Sequence, residues 1–452
     1  MDRPANVGRC VDMTDGQAAG GGGARSAEVA LDSSVPPRPG EPGEPAGGPR
    51  RSRMRRGRPA GRGPVTAVAF GPGRVNLVGE HTDYNDGLCL PFAIELGVTV
   101  RARPSLDGLM RMHAVDIGSH DVFPAVAPPR VEGWRSFARG VVALLTEAGY
   151  SIRPARLTIT GTLPRGAGLS SSAALEVALA LALLAHSGHG EPDRRQLAGL
   201  LSRVENEWVG ARTGLLDQTA SLFGRPGHAL CLDVRALGAI PAPGQAPGGV
   251  PAPGPLPAPP ASAARASGAD GGRATPGAEP AATGIEPVRL DLGRWRLVTV
   301  DSGVRHAIAA SGYNTRRAEC ARACELLGIG SLRDADQDAP GRLPEPLGRR
   351  VRHVLAENER VRLAVAALRA GDLPELGRVL DASHASLRDL YEVSVPEVEA
   401  TAARLRALGA AGARMVGGGF GGSVLALFPP GRRLPAEAMR VAPGGPGRLL
   451  PR

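Results

Sequence analysis

The chain has 452 residues and a net charge of +10, and all 54 of its basic residues are arginine because the sequence contains no lysine. This length suits two ordinary domains. The lack of lysine excludes the lysine-dependent phosphate loop of P-loop nucleotidases, so a phosphate contact must use arginine, backbone N–H groups or a metal ion. No apolar run is long enough for a membrane span and no signal peptide is evident, so we expect a cytoplasmic protein.

Two low-complexity segments divide the chain. Residues 1–64 are rich in Gly, Pro and Arg, and residues 236–285 contain 13 Pro or Gly among the 20 positions from Pro241 to Pro260. Such compositions bury too little apolar surface to fold, so we expect a disordered arm and a disordered insert. The seven arginines from Arg50 to Arg62 could attract nucleic acid, but no aromatic residues lie among them for base stacking, and a solvated tail is favoured.

The remaining segments, 65–235 and 286–452, contain both strand and helix patterns. In chain order, β-branched or alternating runs predict strands and runs of helix formers predict helices: strands over Val65–Phe70, Val98–Arg103 and Arg156–Thr162, a buried helix over Ala173–Ala185, a strand over Trp295–Val300, helices over Arg316–Leu327, Val351–Ala370, Leu376–Asp389 and Val395–Leu408, and a strand over Ser423–Phe428. Strands and helices without regular alternation favour an α+β fold in two lobes.

The block from Gly161 to Ala174 predicts an anion site. A strand ends, a loop with Gly166 and Gly168 follows, and three serines open the buried helix. The first turn of a helix has N–H groups without intrahelical partners and carries roughly half a positive charge. Glycines let an anion approach that backbone closely, and serine hydroxyls add donors or a metal ligand. The sequence therefore predicts a phosphate cradle that needs no lysine.

The block from Gly71 to Gly87 places polar residues among apolar ones near the start of the fold, including Arg74, Glu80, His81 and Asp83. Glu, His and Asp within four residues suit a metal site, a surface salt-bridge cluster or a patch that recognises sugar hydroxyls. The residue types alone leave these three interpretations open.

Three further features carry weaker signals. Asp217 lies in a partly apolar setting where a carboxylate needs a partner, and Glu205 on the preceding helix could face the same cavity. Gly417–Gly422 matches the glycine spacing of a dinucleotide-binding motif, but the helix and second strand that such a motif needs next are not predicted there. A tight turn before the last strand is therefore favoured. Cys320 and Cys324 would share a helix face, where a buried pair is favoured over a metal site.

Taken together, these blocks resemble the galactokinase family within the superfamily of galactokinase, homoserine kinase, mevalonate kinase and phosphomevalonate kinase. G-R-V-N-L-V-G-E-H-T-D-Y-N-D-G is similar to the galactokinase signature, and L-P-R-G-A-G-L-S-S-S-A-A-L to the shared phosphate loop. G-L-L-D-Q and R-M-V-G-G-G-F-G-G are similar to the remaining motifs. The resemblance extends from about Thr66 to Phe428, with the insert interrupting it.

The resemblance implies a two-lobed fold with the active site in the cleft between the lobes, and a role for each matched residue. It implies Asp217 as catalytic acid/base and Arg74 as stabiliser of the transition state. The other implied roles are substrate binding by Glu80, His81, Thr82, Asp83, Gly214 and Tyr313; ATP binding by Trp134, Gly166, Ala167, Gly168, Leu169, Ser170, Ser171 and Ser172; and Mg²⁺ binding by Ser172 and Glu205.

The function implied is transfer of the ATP γ-phosphoryl group to the anomeric hydroxyl of D-galactose by a monomeric enzyme, with ATP as co-substrate and Mg²⁺ as cofactor. A kinase for another sugar, N-acetylgalactosamine or arabinose, is the close alternative, and a catalytically silent sugar and ATP sensor is the distant one. The last ~20 residues are atypical for the family, and loss of a terminal strand could expose a sheet edge of the second lobe.

Overall fold

A computed structural model describes residues 65–164, 166–238, 283–304 and 309–451. The expected disordered arm, residues 1–64, and most of the expected insert lie outside the described residues. The elements up to the insert are β1 (Ala67–Asn76), β2 (Leu88–Cys89), β3 (Pro91–Pro104), β4 (Leu109–Ala114), β5 (Ser119–Pro124), α1 (Trp134–Glu147), β6 (Ala155–Gly161), α2 (Ser171–His186), α3 (Arg194–Arg203), α4 (Leu216–Phe223), β7 (His228–Asp233) and α5 (Val234–Gly238).

The elements after the insert are mostly helical, with short strands at the end of the chain: β8 (Ile285–Arg289), β9 (Arg296–Asp301), α6 (Ala309–Leu327), α7 (Leu347–Ala370), α8 (Leu373–Asp389), α9 (Pro396–Ala407), β10 (Gly412–Met415), β11 (Ser423–Phe428), β12 (Met439–Arg440) and β13 (Arg448–Leu449). Each predicted strand and helix overlaps an observed one, and the fold is α+β as predicted.

The first lobe is built on a six-stranded sheet in the order β13-β1-β3-β6-β4-β5. Its neighbours are antiparallel except β4 and β6, which are parallel. Helix α2 lies against β1 and is buried on nearly all sides, because alanines and leucines with strong helix propensity face the core all round. Gly71 of β1 permits this contact, since a Cβ there would overlap the carbonyl oxygen of Ala174.

The second lobe is built on a four-stranded antiparallel sheet in the order β10-β11-β9-β12, flanked by α6, α8 and α9. A three-stranded sheet, β2-β7-β8, and helix α7 connect the two lobes. One apolar cluster crosses the boundary and joins Val75, Leu77 and Phe92 of the first lobe to Val361 and Leu425 of the second. Burial of this shared cluster holds the lobes together beside the cleft.

Two strand pairings link the predicted segments 65–235 and 286–452 to each other. Strand β8, just after the insert, pairs with β7 just before it in the connecting sheet. At the other end, β13 pairs with β1 in the sheet of the first lobe. In the sheet of the second lobe, the short strand β12 pairs with β9 through Met439 and Arg440.

Candidate active site

The predicted phosphate loop connects β6 to the start of α2. Gly166, Gly168 and Ser170 have φ angles of 67°, 73° and 54°, so the backbone makes a left-handed path that exposes its N–H groups. The apolar side chains of Ala167 and Leu169 are buried and anchor the loop on the core. Arg165 lies outside the described residues. The loop and the first turn of α2 thus have the geometry of an anion site.

The glycine-rich turn of the second lobe lies directly on this loop. Gly417 through Gly422 precede β11, and five of the six residues, including Phe420, have positive φ. A Cβ on Gly417 would lie 3.2 Å from the carbonyl oxygen of Gly168. The sequence prediction of a tight turn here is confirmed.

Arg74 and Asp217 form an ion pair on the floor of the cleft. Arg74 lies near the end of β1 just after a shift in strand register, which turns its side chain into the cleft. Its Nε and Nη2 both lie 2.7 Å from Asp217 Oδ1, and its Nη1 donates to the Gly168 carbonyl at 2.7 Å. Ser170 donates its hydroxyl to Asp217 Oδ2. Burial alone would lower the pKa of Arg74, but Asp217, Glu80 and Asp83 raise it above its ordinary value.

Polar groups on the other side of the ion pair form a polar pocket. Glu80 accepts a hydrogen bond from the Gly417 N–H at 2.9 Å, and His81 Nδ1 lies 2.8 Å from the Tyr84 hydroxyl. Burial lowers the pKa of His81 to about 3, with His353 and Arg316 adding to the effect, so its ring is neutral. The ring of Tyr313 stands 5.2 Å from that of His81. The pocket thus offers acceptors and a neutral imidazole, which suits hydroxyl groups.

Asp83 and Gly214 meet at the wall of this pocket. A Cβ on Gly214 would overlap the Asp83 carboxyl group, so a larger residue there would have to displace that side chain. Burial together with the nearby Asp217 and Glu80 raises the pKa of Asp83 to about 7. The protonation state of this carboxyl therefore changes near neutral pH.

Glu205 lies beside the phosphate loop in a single π-helical turn, Val204–Val209, that continues α3. Such turns often occur at functional sites because they displace one side chain from the regular helix face. Its carboxyl group accepts from Thr213 and Ser172, and burial with the neighbouring Asp217 raises its pKa. The hydroxyl and carboxylate oxygens of Ser172 and Glu205 are hard donors of the kind that Mg²⁺ prefers.

One cavity of about 360 Å³ collects most of the predicted site residues. Its described lining includes Arg74, Glu80, His81, Asp83, Gly166, Ala167, Gly168, Leu169, Ser170, Ser171, Ser172, Glu205, Gly214, Asp217 and Tyr313. It holds four carboxylates against one arginine, so among these residues the binding of a nucleotide polyanion depends on helix N–H groups and an added cation. Among the described residues, no three His, Cys, Asp or Glu side chains form a metal cluster by themselves.

Two predicted residues do not line the cavity. The Thr82 hydroxyl points away and donates to the carbonyl oxygens of Gly79 and Leu88, so it fixes the turn that presents its neighbours. Trp134 lies at the start of α1, where its Nε1 donates to Ser119 Oγ at 3.2 Å, and Phe137 of the same helix lines the cavity.

Arg414 is a site residue that the sequence did not single out. It lies on β10, is fully buried, and its Nη1 donates to the carbonyl oxygens of Asn76 and Leu77 at 3.0 and 2.7 Å. Its Nη2 lies 3.4 Å from Glu80 Oε1. Arg414 therefore joins the second lobe to the segment after β1 that carries Glu80, and the signal available was its position three residues before Gly417, the first residue of the glycine-rich turn.

This chain is similar to known proteins over most of its length. The family model described as the galactokinase galactose-binding signature matches residues 60–104, the GHMP kinases N terminal domain matches 136–225, and the GHMP kinases C terminal domain matches 364–439. The galactokinase of Streptomyces coelicolor is 40% identical over 365 residues, covering 79% of this chain and 83% of that protein. The galactokinase of Thermotoga maritima is 36% identical and covers 79% of this chain and 87% of that one.

Solved structures extend the likeness to the fold. The crystal structure of Lactococcus lactis galactokinase complexed with galactose matches with a TM-score of 0.70 and 28% identity, over 85% of this chain and 95% of that chain. Streptococcus pneumoniae phosphomevalonate kinase matches with a TM-score of 0.52 at 15% identity, which indicates a common fold alone. In the part of the chain that the structure describes, no helix has the length and apolarity needed to cross a bilayer.

Proposed function

Because the chain belongs to the galactokinase family of ATP-dependent sugar kinases, we propose that its cleft transfers the γ-phosphoryl group of ATP to the anomeric hydroxyl of D-galactose. The observation that carries this proposal is the position of the Arg74–Asp217 pair. It touches the phosphate loop through Gly168 and Ser170, and it shares one cavity with the hydroxyl-binding groups Glu80, His81 and Asp83. The reacting atoms of both substrates would meet at this pair.

Asp217 acts as the general base. Its carboxylate takes the proton of the anomeric hydroxyl while that oxygen forms a bond to the γ-phosphorus, and the bond from the γ-phosphorus to the β,γ-bridging oxygen breaks to release ADP. The proton later passes from Asp217 to water. General-base assistance of this kind contributes typically about 10²–10⁴-fold.

Arg74 orients Asp217 and stabilises the transferring group. Its two nitrogens that contact Oδ1 fix the position of the carboxylate, and the guanidinium stands where charge moves onto the γ-phosphoryl oxygens. Phosphoryl transfer depends mostly on positioning and charge neutralisation. A rigid arginine held by Gly168 and Asp217 supplies both.

Mg²⁺ would be held by Ser172 and Glu205. The excess of carboxylates over arginine in the cavity lining and the hard oxygen donors both suit this ion. When bound with ATP, the ion would neutralise charge on the phosphates. We also propose a monomeric enzyme, and its need for ATP supports a cytoplasmic location.

A coupled assay of ADP release tests the proposal. The purified protein with ATP and Mg²⁺ is offered galactose, glucose, N-acetylgalactosamine and arabinose separately. We expect the highest kcat/KM with galactose and a product phosphorylated at carbon 1. If kcat/KM were higher with N-acetylgalactosamine or arabinose, that sugar and not galactose would be the substrate. No phosphorylated product from any sugar would overturn the assignment as a kinase.

A further inference from the structure

Below the catalytic floor, Glu176 of α2 and Gln218 of α4 form a buried pair that the mechanism does not use. Both side chains are fully buried, and Gln218 Nε2 donates to Glu176 Oε2 at 3.1 Å. Among the residues that the structure describes, the remaining oxygens of the pair, Glu176 Oε1 and Gln218 Oε1, have no hydrogen-bond partner. A buried acceptor left unpaired destabilises the folded state, so this arrangement needs an explanation.

The charges around Glu176 make an ionised carboxylate costly. The charged groups that face it are Glu205 and Asp217, both acidic, and burial adds to their effect in raising the pKa of Glu176 well above its ordinary value. A protonated acid removes that repulsion. It also converts Oε1 from an acceptor into a donor, which can pair with the unpartnered Gln218 oxygen.

We propose that Glu176 is a protonated acid that forms a closed pair with Gln218, in which Gln218 Nε2–H donates to Glu176 Oε2 and Glu176 Oε1–H donates to Gln218 Oε1. This pair fixes which end of the Gln218 amide faces Glu205. Glu176 and Gln218 are then positioning residues for the Mg²⁺ ligand Glu205, an inference that rests on the proposed function of that residue.

The orientation of the Gln218 amide matters because its two ends act oppositely on Glu205. The amide N–H acts on the Glu205 carboxyl group as a donor and lowers its pKa, alongside Thr213 and Ser172. An amide turned by half a rotation would present its oxygen to the same carboxylate and repel it. A donor and an acceptor at defined positions on Glu176 prevent that rotation. The acid proton thereby keeps Glu205 in its ligand geometry.

Two substitutions of Glu176 separate this role from simple packing. Glu176→Gln keeps one donor and one acceptor in the same places, whereas Glu176→Met has a similar volume and neither group. We expect E176Q to keep the Mg²⁺ half-saturation of the unsubstituted enzyme within about threefold. We expect E176M to raise it about 10–100-fold, the usual effect of losing a partner behind a metal ligand. KM for galactose should change in neither variant.

A second measurement does not depend on turnover. Mn²⁺ binding in the presence of a non-hydrolysable ATP analogue should weaken in E176M and persist in E176Q. Infrared difference spectra between the unsubstituted protein and E176Q should contain the carbonyl band of a protonated carboxylic acid. Glu357→Gln is the matched control, because Glu357 is also fully buried but is ionised, with a pKa lowered to about 2 despite burial by Arg360, His353 and Arg414. We expect E357Q to lower the melting temperature by several degrees and to lack that band.

Three results would overturn the proposal of a protonated Glu176 paired with Gln218. These are equal loss of metal binding in E176Q and E176M, unchanged metal binding in E176M, or no acid carbonyl band in the difference spectrum. A failure of the proposed function is recognised separately. In that case the unsubstituted protein would phosphorylate no sugar, while the infrared band of Glu176 would still be present.

Discussion

Arg74 and Asp217, 143 residues apart in the chain, meet through two nitrogens that each lie 2.7 Å from Oδ1 of the carboxylate. Asp217 Oδ2 accepts the hydroxyl of Ser170, so both of its oxygens are oriented before any substrate is present. The carboxylate is therefore fixed between the sugar pocket and the phosphate loop. Such preorganisation lets a single carboxylate act as a base without a costly rearrangement during the reaction.

Asp217→Asn should abolish turnover while galactose still binds. The amide keeps the shape of the side chain but cannot take the proton of the anomeric hydroxyl, so kcat should fall by at least about 10²–10⁴-fold. Calorimetric titration should give a dissociation constant for galactose close to that of the unsubstituted enzyme. A variant that keeps a tenth or more of the original kcat would remove Asp217 from the role of base.

Glu205→Ala should raise the Mg²⁺ concentration needed for half-maximal rate by at least about tenfold, and added Mg²⁺ should restore part of the rate. Glu207→Ala is the control, since Glu207 lies in the same π-helical turn but is exposed and paired with Arg203. That variant should keep the original metal dependence. A loss in E205A that Mg²⁺ does not relieve would assign Glu205 a purely structural role.

Gly214→Ala should weaken galactose binding without unfolding the protein. The added methyl group would overlap the Asp83 carboxyl group and displace it from the pocket, so KM for galactose should rise by about tenfold or more while KM for ATP stays nearly constant. Gly199→Ala in α3 is the matched control, because a Cβ there meets open space. It should leave both KM values unchanged and add up to about 1 kcal/mol to the free energy of unfolding. Unchanged sugar binding in G214A would show that Asp83 does not contact the substrate.

The sequence predicts the long elements of this fold well because their patterns are strong. Helix α2 is an example, because a run of alanines and leucines has high helix propensity and is apolar on every face, which predicts a buried helix. The start of β1 was predicted, but its extension through Gly71–Pro72–Gly73 was not. Glycine and proline there suggest a turn, whereas the structure uses Gly71 for close contact with α2. Local propensity cannot predict this strand, because the close contact between β1 and α2 depends on residues far apart in the chain.

Most of the residues that line the cleft were predicted through the family resemblance rather than through chemistry alone. The residue types of Glu80, His81 and Asp83 left metal, surface and sugar interpretations open, and only the meeting of distant segments distinguishes among them. Arg414 and Gln218 act through contacts with residues far away in the chain. No local pattern marks such residues, because their roles depend on tertiary packing. The return of the chain end to β1 was missed for the same reason.

The affinity for galactose should depend on pH through Asp83. Its pKa of about 7 means that the carboxyl group of the free enzyme is neutral below that pH and ionised above it. The ionised form accepts sugar hydroxyls more strongly, so KM for galactose should fall as the pH rises from about 6 to about 8, where the ionised fraction grows from about one tenth to about nine tenths. His81 stays neutral throughout this range, because its pKa is about 3.

Asp83→Asn identifies the group responsible for that pH profile. The variant should bind galactose less tightly, with a KM that is nearly flat between about pH 6 and 8. Linkage adds a stability effect of defined sign: a carboxyl whose pKa is raised by folding holds its proton in the folded state, so stability decreases as the pH rises from about 4 to about 7. That decrease should be smaller in D83N. A pH profile that survives the substitution would assign the dependence to another group.

Arg317→Gln should weaken the contact between α6 of the second lobe and residues 210–213 of the first lobe, which form one wall of the cleft. Arg317 of α6 donates to the carbonyl oxygens of Arg212 and Thr213, and Asn314 of the same helix donates to that of Gly210 at 3.2 Å. These bonds hold a segment in which Arg212 has a φ of 25°, a conformation that costs about 1–3 kcal/mol and needs external support. The same segment presents Gly214 to Asp83.

The loss of hydrogen bonds from a charged donor to two carbonyl oxygens should raise KM for galactose by about tenfold, with a smaller effect on the melting temperature. Arg322→Gln is the matched control, because Arg322 lies on the same helix, is exposed and pairs only with Glu325 among the described residues. Steady-state kinetics with each substrate varied in turn make the comparison. If R317Q and R322Q had the same KM for galactose, contact between α6 and this segment would not control the sugar pocket. A tenfold difference would mean that the second lobe positions a wall built by the first.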